Sequence, residues 1–66
     1  FKVSVALNQP QAVEMNLMDI QGRLIEHIEM GVTTDATKSF TLSQGGIYFL
    51  QVVAGSDVLI RKVMVE

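Results

Sequence analysis

Residues 17–28 read Leu-Met-Asp-Ile-Gln-Gly-Arg-Leu-Ile-Glu-His-Ile: two apolar runs on either side of a polar centre. Whether they are one interrupted helix or two strands joined by a turn decides the fold. Asp19 and Gly22 stand at the first and fourth positions favoured in a type I turn. The Asp19 carboxylate can accept the backbone N–H two residues on. Glycine can take the left-handed backbone that lets a hairpin leave with a bulge. Leu24, Ile25, Ile28 and Met30 fit a helical face or a strand. The preceding turn and the shortness of Leu24–Gly31 favour a strand. Asp19 to Arg23 is then a hairpin turn, with Arg23 able to reach Asp19 across it. A carboxylate–arginine ligand site is the alternative use of the same residues.

The flanking chain has the same rhythm. Phe1, Val3, Val5 and Leu7 alternate with polar or small residues, and Val13, Met15 and Leu17 alternate with Glu14 and Asn16. Between them Asn8-Gln9-Pro10-Gln11 is expected to break the strand, because proline has no ladder donor. Thr33 to Thr37 is polar and expected to be a loop, and Ser39 to Leu42 a brief strand. Ser43-Gln44-Gly45-Gly46 punctuates the chain before Ile47–Val53, a β-branched and aromatic strand with Tyr48, Leu50 and Val52 on one face. Ala54-Gly55-Ser56-Asp57 should turn this strand into an antiparallel partner, Val58–Val65. In that last strand Leu59, Arg61, Val63 and Val65 share one face and Val58, Ile60, Lys62 and Met64 the other, so the pattern does not say which faces inward. The spacing predicts an all-β fold, an antiparallel sandwich or small barrel, as one domain over residues 1–66.

Composition narrows the function. The chain has 66 residues, 48% hydrophobic and 18% charged, which is globular rather than disordered. A net charge of −2 argues against a nucleic-acid or anionic-membrane surface. No apolar run approaches the ~18 residues of a transmembrane helix. No basic segment with a cleavable apolar stretch opens the sequence, so targeting of the N-terminal kind is not expected. Without cysteine there is neither a disulfide nor a thiolate metal site. His27 is the only histidine and has no second imidazole to share a metal. Ser43 and Ser56 lack a positioned base, and Gly45-Gly46 lacks the lysine and helix of a phosphate loop. No residue set supports catalysis, and no cofactor is expected.

Two segments together resemble a known family. "MDIQGRLI" is similar to a "yDl.Gr.v" segment, and "LSQGGIYFLQVVAGSDVLIRKVMV" to an "L..G.Y.l.v..g....kki.v" ending. They occur in this order in the C-terminal sorting domains of the type IX secretion system of Bacteroidetes. The match runs from Met18 to Val65, with Phe1 to Leu7 fitting the strand that opens the conserved part. Members usually carry a Tyr-Pro-Asn-Pro-like segment just before that strand, and many end in a basic residue. This sequence begins after the first and ends Val65-Glu66, so a piece cut from a larger protein is expected.

The resemblance implies an Ig-like β-sandwich of about six to seven short strands. It implies a non-enzymatic secretion address at the C-terminus of a cargo protein, in transit through the periplasm to the cell surface or medium. Its implied partners are the cargo, the outer-membrane machinery, and a sortase that usually removes the domain. Gly46, Tyr48, Arg61, Lys62 and Val63 fall on the segment that the resemblance assigns to recognition. Asp19, Gly22 and Arg23 fall on the earlier motif, where a structural turn is the plainer use. An Ig-like adhesion or carbohydrate-binding module is the other reading, poorly served by one tyrosine, three phenylalanines and no tryptophan.

Overall fold

The computed structural model describes residues 1–66. Its strands are β1 (Lys2–Asp19), β2 (Leu24–Ser39), β3 (Gly46–Ala54) and β4 (Asp57–Val65). They form one antiparallel sheet in the order β2-β1-β3-β4. The chain is therefore all-β, and Leu24–Met30 is strand, as its turn and length predict. No helix is long and apolar enough to cross a membrane.

The expected six to seven short strands are replaced by four, two of them long, and all belong to one sheet. Asn8 to Gln11 is the first reason. Instead of ending a strand, these residues bend one. The β1–β2 ladder steps from Ala6↔Asp35 to Gln11↔Thr33, leaving Leu7 to Pro10 opposite Thr34 alone. Pro10 lies in this bulged segment, where its missing N–H costs no ladder bond. Thr33 to Thr37 is the second reason. Expected as a loop, it is part of β2, and Ala36 and Thr37 pair with Val5 and Ser4. Threonine suits a pleated backbone, and the first half of β1 supplies the partner. Ser39 ends β2, so Phe40 to Leu42 is not a separate strand.

The bend sets the shape. A straight strand of the 18 residues in β1 would reach about 59 Å at ~3.3 Å per residue. The whole molecule is 35 Å in its longest dimension, so the first half of β1 and the second half of β2 fold over as an arm. Beneath it, Val13, Met15 and Leu17 of β1 pair with Ala54, Val52 and Leu50 of β3, and all six are buried. Ala36 and Phe40 complete the core from the arm, with Val3, Val5 and Leu7 packed against it. The Phe1 and Phe40 rings stack at 5.2 Å, and their backbones exchange two hydrogen bonds of 2.7 Å. Tyr48, Leu50 and Val52 face the core, as the period-2 alternation predicts, but beside Val13, Met15 and Leu17 on one face of the same sheet rather than across from them.

Register also settles β4. Leu59, Arg61, Val63 and Val65 pair with Val52, Leu50, Tyr48 and Gly46, placing them on the core side of the sheet. Only Val63 and Val65 pack against the core; Arg61 is exposed. The β3–β4 connection is a two-residue loop, Gly55-Ser56, with φ +62° at the glycine and no positive φ at the serine. That combination is the type II′ pattern, which suits the strand twist.

Candidate functional site

The two motif segments meet at one end of the sheet, where the second begins and ends. Asp19 of β1 pairs with Tyr48 of β3, which pairs with Val63 of β4. The next rung is Met18–Phe49–Lys62, and the one after it Leu17–Leu50–Arg61. Gly46 pairs with Val65 at the rim. Residues far apart in sequence thus stand in adjacent rungs, with Gly22 and Arg23 projecting beyond them in the β1–β2 turn.

That turn is tightly tied. The Gly22 N–H donates to the Asp19 carbonyl at 3.0 Å, closing a four-residue turn. Asp19 Oδ1 accepts the N–H groups of Gln21 and Arg23, both at 2.9 Å, while Arg23 Nε donates to Oδ2 at 2.8 Å. Gly22 has φ +86°, a left-handed backbone that side chains disfavour. The backbone N–H of Arg23, foremost among these donors, holds the Asp19 carboxyl below the ordinary carboxylate range. Both carboxylate oxygens are engaged within the turn, and the Arg23 side chain remains 77% exposed.

Tyr48 fixes the neighbouring loop. Its ring is buried and its hydroxyl donates to the Gln44 carbonyl at 2.8 Å. Gly45 and Gly46 are constrained differently. A Cβ on Gly45 would meet the Val65 carbonyl oxygen at 3.0 Å, whereas Gly46 has open space but φ +143°. The first glycine permits close approach of the chain's end, and the second permits the backbone that starts β3. In the sequence Gln44 and Gly45 read only as punctuation, because these roles depend on where Tyr48 and Val65 come to rest.

The cationic residues divide between faces. Lys62 lies on the outer face beside Phe49, and Arg61 on the core side; both are exposed and neither forms an ion pair. β4 ends the sheet, so one edge of its backbone has no strand beside it. Elsewhere, His27 Nδ1 lies against Asn16 Oδ1, with Glu14 and Glu29 carboxylates at 3.4 and 3.6 Å from the ring nitrogens. No group of three or more His, Cys, Asp or Glu side chains is arranged to hold a metal ion. What the motif residues create is a shaped end with an exposed strand edge, suited to recognition by another chain.

No curated protein matches this chain, and no solved structure does. A family model does match, over residues 1–66; it describes a secretion system C-terminal sorting domain. Both segments that resemble the type IX sorting domains lie within that match, and Asp19 of the first shares a rung with Tyr48 and Val63 of the second. The chain belongs to the family of type IX secretion system C-terminal sorting domains.

Proposed function

We propose that the domain is a non-catalytic secretion address that takes a cargo protein through the type IX outer-membrane translocon. The cargo precedes it in the same precursor, travels through the periplasm, and reaches the cell surface or medium. A cell-surface sortase then removes the domain. The observation that carries this reading is the meeting of the two motif segments in adjacent rungs beside the uncovered edge of β4.

In this reading the machinery engages the Gly46–Val65 hairpin. The backbone edge of β4 supplies strand pairing, and Lys62 adds an electrostatic contact from the outer face. Arg61 and Val63 belong to the same recognition segment. Gly46 and Tyr48 hold the start of the hairpin in shape, and Asp19, Gly22 and Arg23 hold the turn beside it.

The test fuses this domain, with its native upstream linker, to a periplasmic reporter in a type IX-competent cell. The intact fusion should reach the surface, and deletion of Val58–Glu66 should retain the reporter in the periplasm. Lys62→Glu should lower export while the purified variant keeps the parent circular dichroism. Surface delivery by the truncated fusion equal to that of the intact one would refute the hairpin as the address. Undiminished export of Lys62→Glu would remove the electrostatic contact.

A further inference from the structure

We propose that β4 pairs with β4 of a second copy of this chain, antiparallel and centred on Leu59. This self-pairing does not depend on the secretion reading. Its first support is composition at the sheet's end. Val58, Leu59 and Ile60 are 56%, 47% and 55% exposed in consecutive positions, so both faces of the edge are apolar there. Edge strands are commonly blunted by charge or proline at such places, and a bare apolar edge is a template for another strand.

The second support is charge symmetry. The two-residue loop makes Ala54↔Asp57 the hydrogen-bonded pair that closes the hairpin. The backbone groups of Asp57, Leu59 and Arg61 therefore point to β3, and those of Val58, Ile60 and Lys62 point outward. A two-fold axis normal to the sheet keeps each face on its own side, so allowed registers are centred on a residue. Centred on Leu59, Val58 and Ile60 of the two copies exchange backbone hydrogen bonds, and Leu59 lies beside Leu59 of the second copy. Asp57 then stands opposite Arg61 of the second copy, and symmetry repeats the pair. Centred on Ile60, Arg61 faces Leu59 and Asp57 faces Val63. Centred on Arg61, two guanidinium groups face each other, which is unfavourable. Centred on Met64, Lys62 meets Glu66, but Glu66 lies beyond the strand and Val58–Ile60 stay uncovered.

The third support is a place for the incoming side chain. Val5 and Leu7 of the arm, with Val52, Ala54 and Leu59 of the sheet, line a mostly apolar groove of about 280 Å³ beside β4. In the Leu59 register the core-side leucine of the second copy arrives at the mouth of this groove.

The chain contains no cysteine, so a single introduced thiol reports the register. Directly opposed, non-hydrogen-bonded residues have Cα atoms ~4.5 Å apart, within the ~4.4–6.8 Å span of a disulfide. Oxidised Leu59→Cys should form a covalent dimer, while Arg61→Cys, offset by four residues from its own copy, should not. Sedimentation of the unmodified chain should give about twice its 7.3 kDa mass at high concentration. Arg61→Asp places like charges opposite each other at both ends of the pairing and should weaken self-association by about tenfold or more. The exchange Asp57→Arg with Arg61→Asp should restore it, with circular dichroism confirming the fold of each variant. A chain that stays monomeric at every concentration, or Arg61→Cys cross-linking as readily as Leu59→Cys, overturns the proposal.

Discussion

Replacing Gly22 by alanine isolates one backbone angle. An added Cβ meets nothing within 4 Å, so no neighbour has to move. The cost is the left-handed φ of +86° itself. Holding an L-residue there costs roughly 1–2 kcal/mol. Alanine also restricts the unfolded chain, offsetting about 0.4–1 kcal/mol of that cost. The net destabilisation expected is about 1 kcal/mol. Unfolding entropy near 2.1 cal/mol/K per residue gives about 0.14 kcal/mol/K for 66 residues, so Tm should fall by about 7 °C. Thermal unfolding followed by far-UV circular dichroism measures this directly. Gly22→Asn, which tolerates the left-handed region better, should lose visibly less. An unchanged Tm for Gly22→Ala, or equal losses for alanine and asparagine, would refute the conformational account of this turn.

Three further outcomes are expected. Leu17→Ala removes a fully buried side chain paired with Leu50 and should cost about 2–5 kcal/mol, a large part of the ~3–10 kcal/mol available to a domain this size; chemical denaturation should show a markedly lower midpoint. Tyr48→Phe deletes the donor to the Gln44 carbonyl and should cost about 1 kcal/mol, with faster hydrogen exchange at Gln44–Gly46 than in the parent. Asp19 has its folded-state pKa lowered, so its contribution is present above the ordinary carboxylate pKa and disappears as pH falls through the lower folded value. Asp19→Asn should therefore flatten the acid side of the stability profile, and an unaltered acid limb counts against that linkage.

Much of this fold was legible because its signals are local. Asp19 and Gly22 specify a turn through their own carboxylate and backbone. Gly55-Ser56 specifies a hairpin, and the alternation of Val13–Leu17 and Tyr48–Val52 specifies which face turns inward. Pro10 misled because a missing donor looks the same in a chain break and in a bulge; only the opposing strand distinguishes them. Thr33–Thr37 misled because its polarity reflects exposure, while its pairing comes from β1 across the arm. The orientation of β4 was beyond the pattern, since apolar residues occupy both of its faces and only pairing with β3 assigns them. The site was legible as two motifs and not as one place. Their meeting depends on Asp19 pairing with Tyr48, a register that neither motif contains.

The strand order has a kinetic consequence. β1–β2 and β3–β4 are hairpins whose members adjoin in sequence, and each can close through its own turn. β1 and β3 are different: their rungs run from Asp19↔Tyr48 to Val13↔Ala54, joining residues 29 to 41 positions apart. The entropy of closing that loop must be lost before any rung returns energy, so the seam between the hairpins sets the folding rate. Until it forms, Met15 and Leu17 lack Val52 and Leu50 beside them, and two inner strand edges stand open. A newly made chain spends its most aggregation-prone interval in that undocked state. Changes that weaken the seam, such as Leu17→Ala, should therefore prolong that interval as well as lower the final stability.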